Sequence, residues 1–515
     1  MARFYLTTAI DYANGAPHLG HAFEKIGADA ICRFRRQAGD DVWFLVGMDE
    51  HGQKVARTAA DAGLEPRAFV DRIAEQFAAM WARLSLSHDQ FMRTSAPEHH
   101  AAVTQLLERI FATSPDDFYE RSYTGLYCVG CESFKQPADI VDGRCTLHPT
   151  RTLDEVTERN WFFRLSRYAD ALKAHIQKHP AFIQPTSRRN EILALLDEGL
   201  DDISASRARF DWGVPFPRPL STGERQTTYV WFDALPNYWS AQFFPGSGAT
   251  WPASVHVIGK DITRFHVVIW PAMLLAAGLP LPERVWAHGF VTLGGERFSK
   301  SAGVKLELGE AVERFGPDAF RYFLLREIPF DGDGSFSWER FEAVYTAELA
   351  NGLGNLASRT IAMVEKYCEG VVPAGDPTAS DVADRADYEA ARRAMDGSRG
   401  YLIHEALEAI FNTVARANQA IQDAKPWVLA KDPTQRPALE TVLASLMRQL
   451  ARQAVYLAPV MPGKAQALWD ALGGPGSVHG IRFDQADALD CAGWHVAKGE
   501  GLFPRPEPTG GAAAR

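Results

Sequence analysis

An apolar run at residues 3–10, "RFYLTTAI", breaks into the turn formers Asn14, Gly15 and Pro17 and then into an amphipathic stretch over 19–37. A second buried run, "DVWFLVGMDEHG", follows and also ends in polar residues, with helical patterns at 54–63 and 66–84 after it. A strand that reaches its neighbour only through a helix must run parallel to it, and the helices then cover both sheet faces. The same alternation resumes at "TTYVWFDAL", "SVHVIGKD" and "RVWAHGFVTL", each read as a short β-rich run followed by turn or helix signals. This pattern predicts an open α/β parallel sheet, in which ligands bind beyond the carboxyl ends of the strands.

The alternation sets domain boundaries. Residues 1–115 and 226–341 read as two halves of one sheet domain, interrupted by an insertion over 116–225. Residues 342–500 are helical throughout, as in "YLIHEALEAIFNTVARANQAIQD", and predict a helical bundle, while 501–515 reads as a disordered tail. A chain of 515 residues exceeds one ordinary core. It holds 46% hydrophobic and 23% charged residues, with no apolar run long enough for a bilayer and no signal-peptide pattern, so the expected setting is cytoplasmic, with no membrane partner. The net charge of −10 argues against general charge-driven nucleic-acid binding and leaves only local basic patches for it.

Three segments leave strands at the same end of the predicted sheet: "NGAPHLGH", "GMDEHG" and "GKDITRFH". In the first, His18 and His21 sit three apart at the start of a helix, whose unpaired N–H groups attract anions. Gly20 between them would let a bulky ligand approach the backbone. Taken alone, the pair also reads as capping or surface histidines. Its meeting with two other polar segments in one crevice speaks against decoration.

"CVGC" and "CTLH" place Cys128, Cys131, Cys145 and His148 in a C-x2-C…C-x2-H arrangement. Cys3His is a tetrahedral zinc set, soft thiolates select zinc over magnesium or calcium, and four protein ligands make a closed structural site. The spacing predicts one Zn2+ per chain. A catalytic zinc with one ligand position open is the weaker alternative. Cys32, Cys368 and Cys491 are scattered and read as fillers of small apolar sites.

"GGERFSKSAGV" is a Gly-flanked loop carrying Arg297 and Lys300. A flexible cationic loop suits a transient clamp on a triphosphate, although a solvated basic loop looks the same. Taken with "HLGH", however, "RFSKS" resembles the paired signatures of class I aminoacyl-tRNA synthetases. "TAIDYANGAPHLGH", "GMDEHGQK", the cysteine knuckles, "SRARFDWGVPFP", "YVWFDALPNYWS", "GKDITRFH" and "NGLGNLASR" narrow the resemblance to the methionyl-tRNA synthetase family over roughly residues 3 to 470.

That resemblance implies a Rossmann-like catalytic domain, a zinc-bearing insertion and an all-α anticodon-binding domain. It implies activation of L-methionine with ATP and Mg2+ to an adenylate plus pyrophosphate, then transfer to initiator and elongator tRNA(Met). His18, His21 and Lys300 would be catalytic, and Asn14, Gly20 and Arg297 would join them around ATP. Ile10, Tyr12, Asp49, Trp231, Ala234, Tyr238, Asp261, Phe265 and His266 would hold methionine, with Asp49 and the Ile10 backbone at the amino group and Tyr238 and His266 near the sulfur. A thioether offers only a weak acceptor, so such a pocket works by shape and sulfur–aromatic contact. Asn355, Arg359 and Trp427 would read an unpaired anticodon base by hydrogen bonding and stacking. Arg297 and Phe298 stand where the family more often has Lys and Met, and Leu19 replaces the usual isoleucine. The sequence ends after the helical domain, without the extra tRNA-binding module that makes some members dimers, so a monomer is expected.

Other readings stay distinct. The leucine, isoleucine and valine enzymes carry a large editing insertion for which 116–225 leaves little room, and the cysteine enzyme uses an active-site zinc. A non-catalytic tRNA-binding paralogue would have no use for His18, His21, Asp49 and Lys300. A small-molecule nucleotidyltransferase would not need the helical domain.

Overall fold

The computed structural model describes residues 2–129, 133–135, 139–208, 211–293, 296–297, 308–497 and 499–504. The first half of the sheet domain runs β1 (Arg3–Thr8), β2 (Asp11–Tyr12), α1 (Leu19–Ala38), β3 (Asp41–Asp49), α2 (Gln53–Asp61), α3 (Pro66–Arg83), β4 (Gln90–Arg93) and α4 (Pro97–Thr113). The expected strand over 3–10 is split in two. After Thr8 the chain makes a short bulged crossing along the same side of β3, which shifts the register by one residue, and Asp11 and Tyr12 pair with Met48 and Asp49. Ala9 donates to the Val257 carbonyl at 3.0 Å and Ala13 to the Asp49 carbonyl at 2.8 Å, so this crossing is fastened at both ends.

The insertion holds β5 (Phe118–Cys128), β6 (Ser133–Phe134), β7 (Ile140–Val141), β8 (Arg144–Cys145), β9 (His148–Thr152), β10 (Asp154–Phe163), α5 (Ala169–Lys178), β11 (Ile183–Gln184), α6 (Thr186–Glu198), β12 (Ile203–Ser204) and β13 (Ser206–Arg207). Long antiparallel β5 and β10 form its spine. Within the insertion, β11 pairs with a strand of the main sheet and forms its edge. Such a two-residue strand carries no local pattern of its own, and its place is set by its partner.

The second half runs β14 (Thr227–Thr228), α7 (Val230–Ala234), α8 (Asn237–Ser240), β15 (Val255–Gly259), α9 (Trp270–Ala276), β16 (Val285–His288), β17 (Val291–Leu293), β18 (Glu296–Arg297), α10 (Leu308–Phe315), α11 (Pro317–Glu327) and β19 (Gly334–Phe336). "TTYVWFDAL" therefore departs from its β-rich reading: only Thr227–Thr228 is a strand, and Val230–Ala234 is a helical turn. The main sheet has the order β11-β16-β15-β1-β3-β2, with β4 paired to β3, and all its pairings are parallel. Strands β15, β1 and β3 are neighbours, so the three polar exits predicted to meet do leave one edge of the sheet side by side.

The helical domain comprises α12 (Trp338–Val344), α13 (Asn355–Cys368), α14 (Ala379–Met395), α15 (Ile403–Ala424), α16 (Pro426–Leu429), α17 (Arg436–Leu457), α18 (Pro462–Ala471) and α19 (Phe483–Asp487). Its centre is α17, which is buried along almost its whole second half and packs on α13, α15, α16 and α18. Buried Arg321 ties this domain to the sheet domain, donating to Asp29 of α1 and to the Leu84, Pro459 and Val460 carbonyls. Of the tail expected over 501–515, Phe503 is buried and Tyr345 donates to the Pro504 carbonyl at 2.6 Å, and residues 505–515 lie outside the described residues. Among the described residues, no helix is long and apolar enough to cross a membrane.

Candidate active site

The turn out of β2 delivers His18 as the N-cap of α1. His18 Nδ1 accepts from the His21 backbone N–H at 3.4 Å, and His21 Nδ1 accepts from the His18 N–H at 3.3 Å. The two rings stack with centroids 3.5 Å apart. With both Nδ1 atoms acting as acceptors, the proton of each neutral ring sits on Nε2. The pair thus caps its helix and presents ring donors in one act. A Cβ at Gly20 would come 3.1 Å from His18 Cε1, so a side chain there would crowd the His18 ring. Asn14 lies in the same turn, half-buried.

The β3 exit is held more tightly. The Glu50 carboxylate, fully buried, accepts from Arg93 at 2.5 Å and from Ser95, and the Glu50 N–H donates to Thr94 at 2.9 Å. Trp212, returning from the insertion, donates its indole N–H to the Glu50 carbonyl at 2.6 Å. Asp49, one residue earlier, is thereby fixed at the strand end beside Tyr12, its partner in the β2–β3 register.

The third wall comes from α7, α8 and the segment after β15. Trp231 and Phe265 stack face to face, with centroids 3.8 Å apart and planes 10° from parallel. Ala234 is buried one helical turn beyond Trp231, and the Tyr238 hydroxyl lies 2.6 Å from His266 Nε2. His266 Nδ1 lies 3.0 Å from the Ile262 carbonyl, which can only accept. The imidazole proton is therefore on Nδ1, and Tyr238 donates its hydroxyl proton to Nε2. Burial lowers the His266 pKa to about 4, so the ring stays neutral. Asp261 differs from its companions: it is exposed, on the short turn Lys260–Ile262 just after β15.

Sequence reasoning missed the clamp behind this wall. Asp233 is buried, with His51 Nδ1 2.7 Å from one carboxylate oxygen and His99 Nε2 3.0 Å from the other. Burial pushes the carboxyl up, but the two histidines outweigh it and hold it well below the usual carboxylate range. The clamp locks α7, and so Trp231, against the β3 exit and α4. Its members are 182 and 134 positions apart in the chain, a separation no local motif reveals.

Cys131 and Lys300 lie outside the described residues, as do the side chains of His148 and Arg297. Cys128 and Cys145 are buried at hairpin positions, Cys128 paired with Ser133 and Cys145 with His148. In the helical domain, Asn355 is exposed and Arg359 half-buried on α13, and Trp427 on α16 is 38% exposed.

The family described as "tRNA synthetases class I (M)" matches residues 4–150 and 131–361. The methionine--tRNA ligase of Streptomyces coelicolor is 41% identical over 531 residues, covering 98% of this chain and 97% of the relative. That of Brucella melitensis is 42% identical over 520 residues, with the same coverage of 98% and 97%. The Mycobacterium tuberculosis methionyl-tRNA synthetase, solved in complex with methionyl-adenylate, superposes with a TM-score of 0.91 at 40% identity, covering 98% of this chain and 100% of that one. The chain belongs to the methionine--tRNA ligase family of class I tRNA synthetases.

Proposed function

We propose that this chain ligates methionine to its tRNA in two steps, forming methionyl-adenylate and pyrophosphate from methionine and ATP, then transferring methionine to the tRNA 3′ end. The observation that carries the reading is the gathering of the β1, β3 and β15 exits at one end of the sheet, together with full-length likeness to a synthetase solved with methionyl-adenylate. The methionine carboxylate is the nucleophile, so the site has to align reactants and meet charge rather than supply an attacking group. His18 and His21 take the triphosphate, with Asn14 and Gly20 in the same turn and Arg297, Lys300 and Mg2+ acting on the phosphates. Ile10, Tyr12 and Asp49 take the amino-acid head. Trp231, Ala234, Phe265 and the Tyr238–His266 pair enclose the side chain, and Asp261 stands at the mouth.

The geometry refines the sulfur contact. Because Tyr238 spends its proton on His266, the thioether meets aromatic faces and a hydroxyl oxygen rather than a free donor. Methionine-dependent ATP–pyrophosphate exchange tests this, with cysteine, leucine, isoleucine and valine as competitors. Exchange with methionine alone is expected, and exchange with another of the four would overturn the pocket.

Cys128, Cys131, Cys145 and His148 would hold a zinc ion. Buried Cys128 and Cys145 on two adjoining hairpins suit such a centre, and soft thiolates favour zinc. When bound, it would cross-link the hairpins structurally. The reading includes a monomer acting in the cytoplasm, in keeping with the composition.

For tRNA, exposed Trp427 would stack on an anticodon base, with Asn355 and Arg359 at its edge. Base stacking on an aromatic is worth about 1–3 kcal/mol. Trp427→Ala should lower kcat/KM for tRNA charging roughly tenfold by that measure and leave pyrophosphate exchange unchanged. Parallel loss of both activities would assign Trp427 to packing.

A further inference from the structure

A buried ionic cluster lies directly beneath the crossing between β1 and β2, outside every residue placed in the site above. Lys25 of α1 is fully buried, and its ammonium donates to the Ala9 carbonyl at 2.8 Å, Asp11 Oδ1 at 2.7 Å and Glu24 Oε1 at 2.8 Å. All three ammonium protons are thus assigned. The second Glu24 oxygen lies 3.0 Å from His288 Nε2, and His288 Nδ1 lies 2.7 Å from the Gly289 carbonyl. His288 Nε2 thus joins the Glu24 carboxyl to the end of β16, and one ammonium faces two carboxyl groups, burial raising the pKa of the Asp11 one to about 7. The cluster ties together the start of α1, the crossing and the end of β16.

A core ion pair need not bear on chemistry, and replacing a buried pair by apolar groups is often neutral for stability. The position of this one is what gives it consequence. Its two acceptors on the crossing, Ala9 and Asp11, flank Ile10, whose Cγ2 packs so closely on Gly47 that a Cβ there would come within 2.9 Å of it. The register that Asp11 keeps with Met48 puts the next residue, Tyr12, opposite Asp49. The Lys25 ammonium therefore adds a side-chain anchor beneath Ile10 to the Ala9 and Ala13 backbone bonds that fasten the crossing. Among the described residues the other Asp11 oxygen, Oδ2, has no hydrogen-bond partner although the residue is buried, so Lys25 is the side-chain contact that holds Asp11 down.

We propose that Lys25 and Asp11 form a positioning pair for the amino-acid half of the site, holding the Ile10 carbonyl and the Asp49 carboxylate at the spacing that a substrate ammonium requires. This rests on the reading that Ile10 and Asp49 receive the methionine amino group. The pair touches no substrate. It acts through the backbone, so its loss must appear in methionine binding and not in ATP binding.

The test is ATP–pyrophosphate exchange by the full chain carrying Lys25→Met, Asp11→Asn, both together, or Asp49→Asn, with thermal melting of each. Lys25→Met should raise KM for methionine at least tenfold while KM for ATP stays within twofold. Asp11→Asn keeps an acceptor for Lys25 and should raise it less. The double variant, which removes the unpaired Asp11 carboxylate, should bind methionine better than Lys25→Met alone. Equal changes in both KM values, or methionine KM values within twofold of the parent in Lys25→Met and Asp11→Asn, would overturn the proposal. Should Lys25→Met fail to fold, Asp11→Asn carries the same KM comparison. If Asp49→Asn raises KM for methionine and the pair variants do not, the inference alone fails. If Asp49→Asn leaves it unchanged, the amino-group reading fails and takes the inference with it.

Discussion

Replacing His21 by Ala should lower kcat for methionine-dependent ATP–pyrophosphate exchange by about 10²–10³-fold, the loss typical of removing one donor aimed at charge that develops in a transition state. KM for methionine should stay within twofold, because His21 lies on α1 and not among the aromatic walls around Trp231. The mutual capping makes this prediction specific. His21 Nδ1 is occupied by the His18 N–H at 3.3 Å, so the ring proton is on Nε2 and the ring can donate without first gaining a proton. The same substitution removes the His21 half of the mutual cap and leaves the His18 half in place, so it costs less than the roughly 1 kcal/mol of a lost N-cap. That loss lowers the melting temperature but does not slow the turnover of folded enzyme. A variant that melts a few degrees lower yet exchanges at the parental rate would reduce His21 to a cap.

What the sequence disclosed and what it hid divide along a physical line. The first turn was readable because Asn14, Gly15 and Pro17 punctuate it locally and because α1 repeats its apolar face over many turns. The parallel sheet was readable for a similar reason, since β1, β3 and β15 are continuous buried runs. "VWFDA" was misread as extended because Val, Trp and Phe in succession carry β propensity, whereas tertiary packing decides for a helical turn here. That turn buries Phe232, Asp233 and Ala234 together, with Asp233 between His51 and His99. The strand at Ile183–Gln184 left no mark in the pattern because a two-residue edge strand has no period to detect. The Asp233 clamp and the Lys25 cluster were invisible for one shared reason: a buried carboxylate in a linear sequence looks like any surface acid until its partners are brought to it.

The methionine pocket should reveal its histidine through acid stability. His266 is buried, and burial holds its pKa at about 4 against an ordinary value of 6.5. A folded-state pKa below the unfolded one means that the unfolded chain binds the proton first. The stabilisation is therefore complete above pH 6.5, shrinks as pH falls from there to 4, and is gone below. A shift of this size is worth about 3 kcal/mol at neutral pH. Urea unfolding of His266→Leu should accordingly show a pH slope between these limits flatter than the parent's by about that amount. His100, whose pKa burial also lowers, titrates equally in both proteins and cancels in the comparison, whereas His256, lowered by burial and by His266, is relieved in part by the substitution. The same substitution leaves the Tyr238 hydroxyl without its acceptor in a closed pocket. Orphaning a buried donor costs about 1–3 kcal/mol of stability, and with the Tyr238 hydroxyl no longer held in place KM for methionine should rise at pH 8 while KM for ATP holds. An unchanged acid slope together with an unchanged methionine KM would mean that the Tyr238–His266 bond neither shapes the pocket nor excludes the proton.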